Sequence, residues 1–195
     1  MTGRKSAAFG VIEPMEARSE PALPEGDGWW FEPKWDGFRC LAFRQRNEVR
    51  LQAKSGKPLG RYFPEVVDVL RELTADPFIL DGELLVQCGG RFSFEALQMR
   101  LHPSETRIQR LASETPASPD AVRHAALADE RRSLRLAAER APVCAGDLRQ
   151  GLQGQLGFVC DARHGGSALA KAWLDDGRLE GVVAKRRDGR YLEGE

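Results

Sequence analysis

Three short stretches carry residue types that could do chemistry together. The first is Phe31-Glu-Pro-Lys-Trp-Asp-Gly-Phe-Arg39, in which Lys34 follows the aromatic run Trp29-Trp30-Phe31 and precedes Asp36-Gly37. Asp-Gly is a tight-turn signal, so the chain bends after Lys34 and presents it at the mouth of a strand. A free lysine amine has a pKa near ~10.4, and to attack an electrophile at neutral pH it needs desolvation or nearby positive charge. Apolar flanks supply the first and a bound metal ion the second. The next stretch is Leu80-Asp-Gly-Glu-Leu84. Asp81 and Glu83 lie two apart at the end of an expected strand, so both carboxylates project to one side, suiting a divalent metal or a ribose hydroxyl. The last is Glu180-Gly-Val-Val-Ala-Lys185, followed by Arg186, Arg187 and Arg190. Taken singly, each has a plainer reading: a surface lysine in a turn, a polar hairpin rim, an edge strand with charged ends.

The flanking sequence supplies the elements that must hold these residues. From Phe38 to Phe43 apolar and aromatic residues dominate, Gln45 to Glu48 is polar, and Val49-Arg-Leu-Gln-Ala-Lys54 alternates, which predicts a hairpin. Arg50, Gln52 and Lys54 then share a face pointing away from the core, and with Arg44, Arg46, Lys57 and Arg61 they form the best candidate for contacting phosphates. Pro64 opens a helix whose core stripe is Val66, Val69, Leu70 and Leu73. Pro77 to Leu80 reads as a buried strand running through Asp81 and Glu83 to Gln87, then a Gly89-Gly90 turn and Arg91-Phe92. Ser93 caps a further helix that buries Phe94, Leu97 and Leu101. From about Ala112 to Leu156 the composition shifts to Ala, Arg, Ser and Pro. Pro116, Pro119 and Pro142 argue against a strand there, so the expectation is a peripheral Arg-rich helix over Ala121 to Arg140 with loose flanks. A strand Gly157–Cys160, a helix through Leu169, Trp173 and Leu174, and a last strand Leu179–Arg186 complete the order.

At 195 residues, 42% hydrophobic and 30% charged, the chain can bury one sizeable core. Its 29 basic and 29 acidic residues balance, so attraction to nucleic acid must come from a local patch. Cys40, Cys88, Cys144 and Cys160 form no Cys-x-x-Cys pair, against a zinc site or a dense disulfide framework. No apolar run suits a signal peptide or a bilayer span, and the expectation is a cytoplasmic protein without membrane contact.

In order and approximate spacing the three stretches resemble the ATP-dependent DNA ligase family: Lys34-Trp-Asp-Gly-Phe-Arg39 is similar to its nucleophile motif, Leu80 to Leu84 to its central acidic motif, and Glu180 to Lys185 to its late acidic motif. The resemblance covers roughly Val11 to Gln109 and Trp173 to Tyr191. It implies an α+β, ATP-grasp-like nucleotidyltransferase domain, two antiparallel sheets flanked by helices, over 28–195 behind an arm at 1–27. Lys34 would carry a covalent AMP taken from ATP. Glu32 would meet the adenine edge, Arg39 the ribose or phosphates, and Lys54 and Lys185 phosphate. Glu83 would serve the ribose, and Glu83 with Glu180 a Mg²⁺ ion. Nicked double-stranded DNA would be the substrate of a monomer. The family's Ser-Arg-x-Gly stands here as Ala53-Lys54-Ser55-Gly56, a point charge in place of a fork-shaped donor. Its Phe-Asp strand, whose ring stacks on adenine, has no counterpart between Thr115 and Gln155, a stretch without Phe, Trp or Tyr. No segment matches the family's C-terminal barrel (OB) domain; a separate chain that supplies it is one expected partner, and activity of this chain alone is expected to be impaired or absent. Two alternatives stay open: a non-catalytic relative that binds nucleotide or nucleic acid, and an RNA ligase or capping-type nucleotidyltransferase.

Overall fold

A computed structural model describes residues 13–73, 76–127, 166–175, 179–189 and 194. Two antiparallel sheets carry the architecture. Strands β1 (Trp29–Lys34) and β7 (Gly181–Arg186) form a two-stranded ladder. The larger sheet runs β3 (Glu48–Ala53), β2 (Phe38–Gln45), β4 (Phe78–Cys88), with the short β5 (Arg91–Phe92) and the long β6 (Ala117–Leu127) both pairing with β4. The expected hairpin is the β2–β3 pair, turning through Arg46, whose φ is 58°.

Side-chain alternation divides the larger sheet into two faces. Cys40, Ala42, Leu51, Leu80 and Leu84 point to a core closed by α1 (Pro64–Glu72), α2 (Phe94–Gln98) and the buried Phe63, Leu70 and Leu97. Each such large side chain contributes roughly 1.5–3 kcal/mol on burial. Pro64 starts α1 because its missing N–H is one that a first turn leaves unpaired anyway. Ser93 caps α2, its hydroxyl accepting from the Ala96 N–H at 3.2 Å. The opposite face carries Arg39, Asp81 and Glu83 beside a small apolar cluster of Leu41, Phe43 and Ile79. Helix α3 (Glu105–Glu114) packs on α1, and α4 (Ser167–Asp175) backs β1 and β7.

Four expectations need correcting. Residues 117–127 form a strand on β4, where the sequence pattern suggested helix from Ala121 onward. Pro119 is accommodated because the register shifts between Glu83 and Leu85, leaving Pro119 and Asp120 between the paired residues Ser118 and Ala121, and because no further strand pairs with β6 among the described residues. Asp81 and Glu83 sit in the middle of β4, not at its end. Helix α2 stops at Gln98, so Leu101 is 48% exposed and leaves the core to Leu97. The face shared by Arg50, Gln52 and Lys54 is not uniformly open: Gln52 is buried, and the Arg50 guanidinium lies 4.2 Å from the centre of the Phe43 ring. The expected strand at 157–160 and the helix beyond residue 127 lie outside the described residues.

Candidate active site

Lys34 is the last residue of β1, opposite Gly181 in the ladder. Its stem passes over that glycine, where an added Cβ would stand 3.9 Å from Lys34 Cδ. The ammonium meets Glu180 Oε2 at 2.5 Å. Glu180 also donates its backbone N–H to the Lys34 carbonyl at 3.2 Å. It precedes the first residue of β7, so strict strand alternation does not govern where its carboxylate points, and the opposite parity of Glu180 and Lys185 is no obstacle to a shared site.

The same face of the ladder holds a second pair of opposite sense. Glu32 lies opposite Val183 and Lys185 opposite Trp30, which places Glu32, Lys34 and Lys185 on one side. Lys185 Nζ is 2.5 Å from Glu32 Oε2, with the side chains 21% and 8% exposed. Each strand thus contributes one lysine paired with a glutamate from the other strand's side of the ladder. On the other face Phe31 is buried, and the helix α4, with its buried Ala170, packs on both strands.

On the larger sheet, Arg39 grips Asp81 through two parallel bonds of 2.5 and 2.6 Å. A third donation, from Arg39 Nη2 to the Met15 carbonyl at 3.2 Å, fastens the N-terminal arm across this face. Pro14 is buried there, and Glu16 Oε1 lies 2.8 Å from Lys54 Nζ. Glu83 stands opposite Arg39 in the β2–β4 ladder and is 8% exposed. The sequence paired Asp81 with Glu83 as equivalent carboxylates. The structure separates them, because Asp81 is committed to a bidentate clamp that fixes Arg39 and, through it, the arm.

The turn Trp35–Gly37 joins the two halves. A Cβ at Gly37 would stand 2.7 Å from the Leu84 carbonyl and 3.2 Å from Glu83 Cβ, so only glycine lets this backbone lie against β4. Trp35 meets the Phe92 ring edge-on at 4.9 Å. The turn that follows Lys34 thereby lies against the strand that carries Asp81 and Glu83. Below the sheet, burial and the charges of Asp81 and Glu83 push the Cys40 thiol up to about 12, a hydrogen bond from the Gln52 backbone notwithstanding. Cys40 is an inert core residue.

Among the described residues no group of three or more His, Cys, Asp or Glu side chains forms a protein-only metal cage.

A lysine at a strand end beside a glutamate, acidic and basic side chains on both sheets and an α+β frame of two antiparallel sheets define a nucleotidyltransferase domain of the ligase type. Residues 14–119, more than half of the chain, match the profile of the ATP dependent DNA ligase domain. The chain belongs to the ATP-dependent DNA ligase family. It is 39% identical over 191 residues to DNA ligase C1 of Mycolicibacterium smegmatis, covering 94% of this chain and 54% of that protein. DNA ligase C of Mycobacterium tuberculosis is 35% identical over 178 residues, covering 89% and 49%. The chain therefore spans about half the length of these relatives. Among solved structures it is similar to the ligase domain of M. tuberculosis LigD, with a TM-score of 0.59 at 25% identity over 85% of this chain and 51% of the other. A mycobacterial DNA ligase D complexed with ATP and MES shares the fold, with a TM-score of 0.61 at 23% identity over 94% of this chain and 56% of the other.

Proposed function

We propose that this chain forms a covalent lysyl-adenylate from ATP, the first step of DNA strand joining. The observation that carries this reading is the Lys34–Glu180 contact at the end of the β1–β7 ladder. The Lys34 nitrogen attacks the α-phosphorus of ATP, a phosphoramidate bond forms, and the bond to pyrophosphate breaks. The amine must shed a proton first, and the Glu180 carboxylate at 2.5 Å is placed to hold the amine and to take it up. Arg39, held by Asp81, is the residue that would meet ribose or phosphate. Lys54 and Glu83 line the same sheet face and complete the nucleotide contacts, and Glu32 faces the base. Glu83 and Glu180, hard oxygen donors from the two sheets, would hold Mg²⁺, which when bound neutralises charge on the phosphates. The second substrate is the 5′-phosphate of a nick in double-stranded DNA, which accepts the AMP. The names of the relatives, DNA ligases C1 and C, support that choice.

The test is incubation of the pure chain with α-labelled ATP and Mg²⁺, then mapping of any covalent label. Label is expected on Lys34 and absent in Lys34→Arg, whose guanidinium stays protonated. Label persisting in that variant sinks the assignment. Label from GTP and not ATP favours a capping-type enzyme. Transfer of AMP to nicked DNA, measured separately, tests the DNA substrate.

A further inference from the structure

We infer that Arg187 is a contact for the phosphate backbone of duplex DNA, held ready on the ring of Trp30 at the end of the β1–β7 ladder remote from Lys34. The inference rests on the DNA substrate proposed above and concerns how that substrate is held.

Two arginines follow Lys185, and the structure gives them unlike surroundings. Arg186 donates to both oxygens of Asp188, at 3.0 and 3.2 Å, so a carboxylate already answers its charge. Arg187 is held differently. Its guanidinium lies 4.1 Å from the centre of the Trp30 ring, its Nε donates to the Trp29 carbonyl at 3.3 Å, and its backbone N–H donates to the Gly28 carbonyl at 2.9 Å. Among the described residues no carboxylate pairs with it, and neither terminal nitrogen has an acceptor. A long side chain ordinarily loses rotamer freedom when it grips a ligand. Here a ring and a carbonyl have already fixed the stem. What is left is the pair of terminal nitrogens of a planar fork, which matches two oxygens of a phosphate.

The rest of the chain sets this cation apart. Basic and acidic residues balance at 29 each, so the hold on DNA must be local. The basic residues of the β2–β3 patch are largely engaged within the protein: Arg44 donates to the Leu73 carbonyl, Arg50 lies over Phe43, Lys54 meets Glu16 and Arg61 donates to the Pro103 carbonyl. Position names the partner. Trp30 and Lys34 share a face of β1 four residues apart, about 13 Å along a strand. One strand of duplex DNA advances ~3.4 Å per phosphate, so that distance is about four nucleotides. An ATP anchored by its α-phosphate at Lys34 has no phosphate so far away, and a duplex reacting there does. A contact of this kind reads no base, so it adds to affinity alike for every sequence.

The test measures binding of a nicked duplex carrying a 5′-phosphate to the whole chain by fluorescence anisotropy across a salt series, with thermal melting as a check of folding. Arg187→Gln is expected to weaken binding about three- to tenfold at low salt and to make the slope of log K against log salt shallower by about 0.9, the loss of one phosphate contact, equally on duplexes of unrelated sequence. Trp30→Leu takes away the support and should weaken binding severalfold, and Trp30→Phe, which keeps a ring, should restore most of it. The double variant Arg186→Gln/Asp188→Asn removes the closed pair at no net charge and should bind as the parent does. An unchanged slope in Arg187→Gln overturns the inference, and so does an equal loss in the double variant. Arg187→Lys keeps the charge and loses the fork, so it should bind more weakly than the parent with the parent's slope, and it carries the test if Arg187→Gln does not fold. The readings fail separately. Duplex binding that ignores Arg187 sinks this inference and leaves the DNA substrate standing, whereas a chain whose Lys34 takes no label but that holds duplex through Arg187 removes the adenylation chemistry and keeps this contact. A parent that takes label at Lys34 and binds no duplex overturns both the DNA substrate and the contact.

Discussion

The ammonium of Lys34 and the carboxylate of Glu180 lie 2.5 Å apart with both side chains roughly half exposed, at 49% and 43%. An ion pair so open to water is worth at most about 1 kcal/mol of stability. Its value is therefore to chemistry. Glu180→Gln keeps the shape and removes the proton acceptor, so labelling of Lys34 by α-labelled ATP is expected to slow by about a hundredfold or more. The melting temperature should move by no more than a few degrees. A variant that melts far below the parent and labels in proportion to its folded fraction would assign Glu180 a structural role.

Gly37 supplies a second prediction, on the seam between the sheets. Alanine there would put a Cβ 2.7 Å from the Leu84 carbonyl and 2.7 Å from Leu85 Cδ2. The first of these atoms is backbone in the middle of β4 and cannot step aside, so the turn must lift away. Lys34, three residues earlier, moves with it. Gly37→Ala is expected to lose stability, by about 1–3 kcal/mol for a forced overlap, and to lose labelling beyond what its unfolded fraction explains. Gly90→Ala is the contrast: its φ of 81° strains an added side chain, but nothing lies within 4 Å. Labelling per folded molecule should be unchanged there, and an equal loss in both variants would show that the packing of Gly37 is not special.

Much of the frame around this candidate site was legible in the sequence because its signals are local. The alternation of β2 and β3 and the stripe of α1 each lie within one short segment, and Lys34, Glu83 and Glu180 each stand in a short motif of their own. What escaped was set by distant partners. Whether Asp81 serves a ligand or an arginine depends on Arg39, 42 residues away. Whether Lys185 faces phosphate or Glu32 depends on a strand 153 residues earlier. Residues 117–127 show the converse. Their local pattern is helical and proline-broken, yet β4 offers an open ladder edge and a bulge absorbs Pro119. Tertiary pairing overrode propensity.

Cys40 gives a pH dependence. Its folded thiol is pushed up to about 12 from an ordinary 9.0, first by burial and then by the Asp81 and Glu83 charges. A thiol is neutral when protonated, so the unfolded chain sheds this proton first. The contribution to stability is fully present below pH 9.0 and is lost as pH rises from there toward about 12. The slope approaches about 1.4 kcal/mol per pH unit in that window. Cys40→Ala should flatten the fall in chemical-denaturation stability between pH 9.0 and the onset of general alkaline unfolding. Parallel curves for parent and variant would refute it. At neutral pH Cys40 should also resist alkylation in the folded chain and react once the chain is unfolded.

The last prediction concerns Arg100, which is fully buried and which no sequence motif marked. Its Nη2 donates to both Glu65 oxygens at 2.7 and 2.8 Å and to the Tyr62 carbonyl at 2.9 Å, and its Nη1 reaches the Thr115 carbonyl at 3.2 Å. The guanidinium also sits 5.1 Å from the centre of the Phe63 ring. Glu65 Oε1 in turn accepts the Ala117 N–H at 2.9 Å, the first amide of β6. One buried pair thus ties α1 to the start of the strand that the sequence concealed. Removing one partner of such a pair typically costs about 3–5 kcal/mol, because the other charge is left buried alone. Arg100→Met is expected to fall in that range and to speed amide exchange at Ala117 and along β6 before the β2–β3 hairpin is affected. Replacing both partners, as Glu65→Leu with Arg100→Met, should recover much of the stability but not the Ala117 hydrogen bond. Exchange at the start of β6 should then stay fast in a chain that melts near the parent temperature. If protection at Ala117 returns together with stability, the pair supports the core in general and does not anchor β6 in particular.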